Sequence, residues 1–555
     1  MINITLPNGQ ILNAPEATCP FDLISHVAKD YTSPIVAAIV NNVETDLQIP
    51  LYEDCTVDFV PMESDQGMRI YSHTLLFMFL TLAKKSYHHV KFEVRNTLGT
   101  ALYVTFKEGK LSSKDLEDMQ QAMGNLAAKK IPIYLSMTTV GEFLKNSFDE
   151  QTEYDRKYLL ENAPMFMPIY VYNLLDNSTF FFSKLCPNCG YINKFELIPF
   201  DEGVMLANPT PHMWNDLDNF EKNHALIHKV FQESNEWAHL IHCGTIAGFN
   251  KVNELGYSNK VILVSEALHE KKIIQMADAI AEKRDKIKMV LIAGPSSSGK
   301  TSTCQRLTVH LAVNRLHAIP ISMDDYFVNR EDTPKKPDGS YDFECVEAVD
   351  IPFFNKQMTQ LLNGEKIRLP KFDFKSGTRK WQDKELQMMD QDILLIEGIH
   401  GLNEKLTADI PAENKIKIYV SALTPMSLNN YNRISTSDVR LMRRIVRDNQ
   451  FRGHSALKTL NMWANVRAGE EKYIFPFQPS ADVVFNTTLI YELAVLKKYA
   501  EPLLQEVTQD SGAAYTVAQR LLLLLSFVNT IDDTDIPNNS ILREFIGGSV
   551  FRDGL

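Results

Sequence analysis

The apolar and polar positions change period along this chain, and the changes divide it. Residues 2–6 and 10–12 alternate on either side of Pro7-Asn8-Gly9, and Asn-Gly between two such runs predicts a β-hairpin. Residues 20–29 carry a short helical pattern, and 36–40 and 55–60 read as strands. Together 1–65 form a small α+β unit that ends in the polar stretch 63–67, read as a boundary. Residues 66–270 mix both periods, with an apolar helix at 72–85 and an amphipathic one at 113–129. The charged segment 281–287 leads into Met289–Ala293, five apolar residues in a row. From there strand and helix patterns alternate to about residue 505. Such alternation predicts an α/β domain, 271–505, with a parallel sheet covered by helices. The remainder, 506–555, reads as a mostly helical extension with a polar loop at Pro537-Asn538-Asn539-Ser540. Its apolar run 521–525 is far shorter than the roughly 20 residues a membrane helix needs, so a buried core helix is expected.

Composition narrows the class. The chain has 555 residues, too many for one core at about 100–200 residues per domain. Its net charge of −12 disfavours broad electrostatic binding of nucleic acid and leaves the N-terminal half as the place for any such contact. Seven scattered cysteines, an odd number in a long chain, predict reduced thiols and a cytoplasmic protein. The start, MINITLPNGQ, lacks the basic and apolar regions of a secretory signal.

Gly294-Pro295-Ser296-Ser297-Ser298-Gly299-Lys300-Thr301-Ser302 fits G-x-x-x-x-G-K-[ST] between a predicted strand and a predicted helix over 302–313. Gly294 and Gly299 permit backbone shapes that turn successive N–H groups toward phosphate oxygens, and the helix N-terminus adds about half a positive charge. The amides and hydroxyls of Ser296, Ser297, Ser298 and Ser302 belong to this cradle. Lys300 supplies a mobile charge for the β- and γ-phosphates, and Thr301 a hydroxyl for Mg²⁺.

Acids follow at the ends of later strands, where open α/β sheets bind ligands. The strand at 317–321 runs into Ser322-Met323-Asp324-Asp325-Tyr326-Phe327, where a carboxylate could take a proton from an attacking hydroxyl or help to hold Mg²⁺. The strand at 392–396 ends in Glu397-Gly398, the expected metal-holding acid. Arg440, Arg443, Arg444 and Arg447 fall at i, i+3, i+4 and i+7. On a helix they share one face, and four guanidinium groups could close as a lid over a triphosphate.

In these residues the stretch from about 288 to 500 resembles the uridine kinase/phosphoribulokinase family of P-loop kinases, its uridine–cytidine kinase branch above all. The resemblance implies that Asp324, in an S-x-D-x-[FY]-[FY] segment, is the base that activates a nucleoside 5′-hydroxyl. The family's N-F-D-x-P-x-A-F-D takes the form Asp342-Phe343-Glu344-Cys345-Val346-Glu347-Ala348-Val349-Asp350. Glu344 would then bind ribose hydroxyls, while Asp350 can equally cap a helix carrying Pro352. The family's P-x-Y-D-F-x-x-H-S-R-K is seen as Pro370-Lys371-Phe372-Asp373-Phe374-Lys375-Ser376-Gly377-Thr378-Arg379-Lys380. Phe343, Phe372, Phe374, Arg379 and Ile399 would join the acceptor pocket. Two base-reading positions depart, since Phe372 stands for a tyrosine and Gly377 for a histidine, so the pocket should discriminate differently. Arg444, Arg447 and Arg452 match family arginines, with Arg444 also on the acceptor side, and His454 replaces another.

Residues 1–65 resemble a TGS domain, notably in the V-N-x…L-x-x-P-L-x-x-D pattern within 40–60. Residues 66 to about 230 resemble the second additional, editing-type domain of threonyl-tRNA synthetase. Its zinc-type pairs would fall at His73…Phe77 and Cys186…Gly190, where one histidine of each is missing, so a degenerate editing site is expected. Cys186-Pro187-Asn188-Cys189, with no second pair, is a weak zinc signal.

The reading is an ATP- and Mg²⁺-dependent nucleoside kinase, with nucleoside and ATP as partners, no membrane, and a homo-oligomer implied by the family. Two alternatives stand beside it. One is a kinase for another sugar-containing molecule, although a strongly anionic substrate would need basic residues near Glu344, where the sequence is acidic. The other is a non-catalytic regulator sensing nucleotide or RNA.

Overall fold

A computed structural model describes the chain except residues 100, 147–153, 162–164, 212, 215–216, 218–224, 337–338, 374–375 and 552–555. The predicted hairpin forms between Ile2–Thr5 and Ile11–Ala14, with Gly9 at φ +81° in its turn. It extends a five-stranded sheet in which Ile2–Thr5 lies parallel to Cys55–Pro61 and the helix Pro20–Val27 covers one face. Ile4, Leu23, Val27, Val57 and Phe59 make its core.

The polar stretch 63–67, read as a boundary, leads into a helix, Asp65–Ser86. Ser64 caps it by accepting from the Gly67 amide. A Cβ at Gly67 would stand 2.2 Å from the Pro61 carbonyl oxygen, so the helix starts directly against the end of the preceding strand. This long helix and Ser113–Ala128 pack against a four-stranded antiparallel sheet whose order is 196–200, 203–207, 101–108, 91–98. A second, three-stranded sheet contains Tyr134–Thr139 and Pro168–Leu174.

The predicted parallel sheet is present. Its order is 317–322, 392–397, 289–293, 415–421, 483–486, and every pair is parallel. The central strand Met289–Ala293 is buried along its whole length, which explains its unbroken apolar run. Strands 289–293 and 392–397 end side by side, with Ile292 opposite Glu397. Gly294 and Glu397 therefore emerge at the same edge.

The flanking segments are less separable than their composition implied. The helix Ser258–Glu282 runs through the boundary placed at 270/271. Its Ile273, Met276 and Ile280 share one core with Leu307 of the P-loop helix and with Leu521, Leu525 and Ile541 of the C-terminal extension. The 521–525 run lies in the helix Ala513–Ser526, with Leu521 and Leu525 buried as expected of a core helix. Among the described residues no helix is long and apolar enough to cross a membrane.

Candidate active site

The strand-to-helix turn at 294–299 has the backbone its sequence called for. A Cβ at Gly294 would come within 2.0 Å of the Val420 carbonyl oxygen. Gly299 has φ +85° and ends the loop directly before the helix Lys300–Val313. The Ser297 and Ser298 hydroxyls are buried with no hydrogen-bond partner among the described residues. Lys300 folds back, its Nζ donating to the carbonyls of Gly294 at 3.0 Å and Pro295 at 3.1 Å. Burial lowers its pKa, against the opposing pull of Glu397 and Glu544. Loop amides, buried hydroxyls and a lysine held on carbonyls it can leave form a cradle that suits a polyphosphate.

Thr301 Oγ1 donates to Glu397 Oε1 at 3.0 Å. Burial raises the Glu397 carboxyl to about 7, Lys300 opposes the rise, and Glu544 adds to it. These are hard oxygen donors of the kind Mg²⁺ takes, two from protein with the rest left to phosphate and water. A Cβ at Gly398 would meet Met323 at 2.6 Å, so glycine there lets the acid's loop lie against the Asp324 segment.

The two neighbouring aspartates have separate surroundings. Asp325 accepts from the Phe372 amide at 3.2 Å and from Lys371 Nζ at 3.3 Å, tying the strand Ile367–Asp373 to this loop. Asp324 lines the cavity, and burial raises its pKa while Lys300 opposes the rise. Glu344 also lines it. Burial, then the neighbouring Glu470, pushes its carboxyl up to about 6. A Cβ at Gly469 would stand 2.8 Å from Glu344 Cβ, so the helix Ala456–Tyr473 leaves room for this acid.

The arginine stripe lies on the helix Thr436–Arg452 but splits in two, which corrects the expectation of a four-arginine lid. Arg440, 1% exposed, pairs with buried Glu470 and donates to the Ser296 carbonyl at 2.9 Å. Arg443, fully buried, pairs with Glu492 at 2.5 Å and donates to the Thr487 carbonyl at 2.8 Å. Both serve the fold, because side chains one turn apart on a helix face still point in different directions at its edges. Arg444, Arg447 and Arg452 reach the cavity. Arg444 donates to Ser296 Oγ at 2.6 Å. All three gather on Asp448, a fully buried acid, at 3.3, 3.1 and 3.2 Å. The sequence reading missed Asp448, although an acid four residues after Arg444 was its signal.

One cavity of about 480 Å³ thus holds Ser296, Ser297, Ser298, Gly299, Lys300, Thr301, Asp324, Phe343, Glu344, Phe372, Glu397, Ile399, Arg444, Arg447 and Arg452. Gly294 shapes the loop from behind. Arg379 is turned to other work: it pairs with Asp350 at 3.1 Å and donates to the Phe327 carbonyl at 3.0 Å. Asp350 does cap its helix, accepting from the Phe353 amide. Phe374 lies outside the described residues.

Two lining residues were not anticipated. Arg330 comes from the loop beyond Asp324, so the surroundings of Glu344 include cations that its own stretch lacks. Glu544, from the C-terminal extension, accepts from the Ser302 amide at 3.1 Å and from Ser302 Oγ at 2.7 Å. It occupies an N–H group at the helix N-terminus that the sequence reading gave to phosphate. Neither residue has a motif, and only the fold brings them here.

A parallel sheet with a P-loop on its central strand, two acids at adjacent strand ends and arginines over the loop define a P-loop kinase domain. Comparison with known proteins agrees. Residues 289–492 match the Phosphoribulokinase / Uridine kinase family and residues 2–60 the TGS domain, so the chain carries one domain of each. The uridine kinase of Lactobacillus johnsonii is 27% identical over 194 residues, 35% of this chain and 83% of that protein. Uridine-cytidine kinase A of Dictyostelium discoideum is 29% identical over 197 residues, 35% of this chain and 34% of that longer protein. Among solved structures, D-glycerate 3-kinase from Cryptococcus neoformans var. grubii aligns at 13% identity with a TM-score of 0.21, covering 45% of this chain and 88% of that one.

Proposed function

We propose that this protein transfers the γ-phosphoryl group of ATP to the 5′-hydroxyl of a nucleoside, giving a nucleoside monophosphate and ADP. The observation that carries the reading is the cavity in which Lys300, Thr301, Glu397, Asp324, Glu344, Arg444, Arg447 and Arg452 converge. The loop amides and Lys300 hold the β- and γ-phosphates. Thr301 and Glu397 would hold Mg²⁺, which when bound neutralises charge on the β- and γ-phosphate oxygens. Glu344 orients the sugar through adjacent hydroxyls. Asp324 accepts the proton of the attacking hydroxyl as its oxygen bonds to the γ-phosphorus and the bond to ADP breaks. Arg444 and Arg447 spread the charge of the moving group, and with Arg452 they exclude water, so transfer outruns hydrolysis.

Relatives named uridine kinase and uridine-cytidine kinase support a nucleoside as acceptor. The test is ADP release across uridine, cytidine, adenosine, guanosine and inosine, with K300A as control. Nucleoside-dependent release that vanishes in the variant supports the reading, and equal release with and without nucleoside refutes it.

A further inference from the structure

Asp448, near the C-terminal end of the helix Thr436–Arg452, is fully buried and takes no part in the cavity wall. Yet every arginine that does reach the cavity from this helix rests on it. Arg447 donates twice to Oδ1, from Nε at 3.3 Å and from Nη2 at 3.1 Å. Arg452 Nη1 stands 3.2 Å from the same oxygen, and Arg444 Nε 3.3 Å from Oδ2. Positions 444 and 452 lie one turn before and one turn after 448, so the helix itself delivers both side chains to the acid. The far end of Arg444 reaches Ser296 Oγ on the phosphate loop at 2.6 Å. Burial lowers the pKa of Arg444, Asp448 opposes the fall, and Arg447 and Arg452 add to it. The three guanidiniums thus repel one another, and the acid offsets that repulsion. One carboxylate against three guanidiniums leaves two positive charges over, so the group is fixed in place without being cancelled.

We propose that Asp448 is a positioning residue for phosphoryl transfer: it sets Arg444, Arg447 and Arg452 in place before nucleotide arrives and leaves their excess charge for the moving group. The proposal rests on the nucleoside-kinase reading and adds what arranges the arginines of that site. Donors aimed in advance at charge that develops during the reaction need no reorganisation at that moment. Without a common anchor the three side chains spread, and gathering them again adds to the barrier. The phosphates of bound ATP lose less, because the loop amides and Lys300 still hold them. The loss therefore falls on kcat rather than on KM for ATP.

The test measures kcat, KM for ATP and Tm in the wild type, D448N, R447M and the double variant, with whichever of the five nucleosides the wild type turns over fastest. D448N keeps the shape and one acceptor oxygen but not the charge. It should lower kcat by about 10-fold to 100-fold, somewhat less than the loss of one preorganised donor, and leave KM for ATP within about threefold. In the double variant the losses should not multiply. D448N should cost at least about threefold less in R447M than in the wild type, because part of what it positions is already gone. An acid that only stabilises the fold would lower Tm and let the two losses in kcat multiply. If D448N does not fold, D448E, which keeps the charge and moves it by one methylene, takes its place in the same cycle. A kcat within about twofold of the wild type, or losses that multiply, would overturn the role of Asp448 with nucleoside phosphorylation intact. A wild type that turns over no nucleoside removes the reading beneath it as well.

Discussion

At the phosphate end of the cavity most of the machinery comes from one unbroken stretch, 294–302, whereas the acceptor end draws single residues from segments around 324, 330, 344, 372 and 399. The first end works through backbone amides, whose direction follows from local chain geometry and therefore from local sequence. The second works through side chains whose meeting depends on the whole domain. Asp324 follows the strand His317–Ser322 and Glu344 lies against Gly469 of the helix Ala456–Tyr473, and the fold brings both to one cavity. A loop motif can thus persist while the acceptor pocket is rebuilt around it.

Substitutions that separate the two ends sharpen this contrast. The largest effect is expected from Asp324→Asn, which should lower kcat by about 10²- to 10⁴-fold and leave ATP affinity nearly unchanged in a nucleotide-binding titration. Normal turnover would remove Asp324 from the chemistry. Next comes the split lid helix. Arg443→Met breaks a buried pair and should cost about 3–5 kcal/mol of stability, read as a large fall in Tm. Arg447→Met, which leaves Arg444 and Arg452 on Asp448, should lower Tm less than Arg443→Met and lose turnover. Equal Tm losses in both variants would contradict the division between them.

A smaller effect belongs to Glu544. Its carboxylate sits on the Ser302 amide, where phosphate would bind, so nucleotide has to displace it. Glu544→Ala should lower KM for ATP by about 3-fold to 30-fold, the scale of an anion's attraction to a helix N-terminus. An unchanged or higher KM would show that Glu544 assists the nucleotide.

The smallest effect is in stability. In the folded protein the Glu344 carboxyl titrates near 6, above its ordinary 4.5, because burial disfavours the charged form. Its contribution is fully present below pH about 4.5 and is lost as pH rises through about 6. Glu344→Gln should therefore raise Tm at pH 8, by up to about 5 °C, and leave it unchanged at pH 4. A drop in Tm at pH 8 would mean that the ionised form is the stabilised one.

How much the sequence disclosed follows the same division. The central strand, the P-loop, Thr301 and Glu397 were legible because each is a local pattern beside a strong apolar run. The parallel sheet followed from the alternation of strands and helices. The start of the helix Asp65–Ser86 was hidden because its first turn is polar and glycine-bearing, so the apolar pattern marked the helix only from residue 72. The four arginines were visible as a stripe, but which two turn inward depends on Glu470 and Glu492, which reach them from other helices. Arg330 and Glu544 carry no local signal, since a lone arginine in a loop and a lone glutamate near the C-terminus look like ordinary surface.

The central claim is that this cavity hands a phosphoryl group to a sugar hydroxyl, and phosphorus NMR of a reaction with ATP, magnesium and a nucleoside tests it directly. We predict that a phosphomonoester resonance coupled to the C5′ protons grows as ATP declines, and that K300A abolishes it. ADP and inorganic phosphate as the only new species, or ATP unchanged with every nucleoside, would contradict the account.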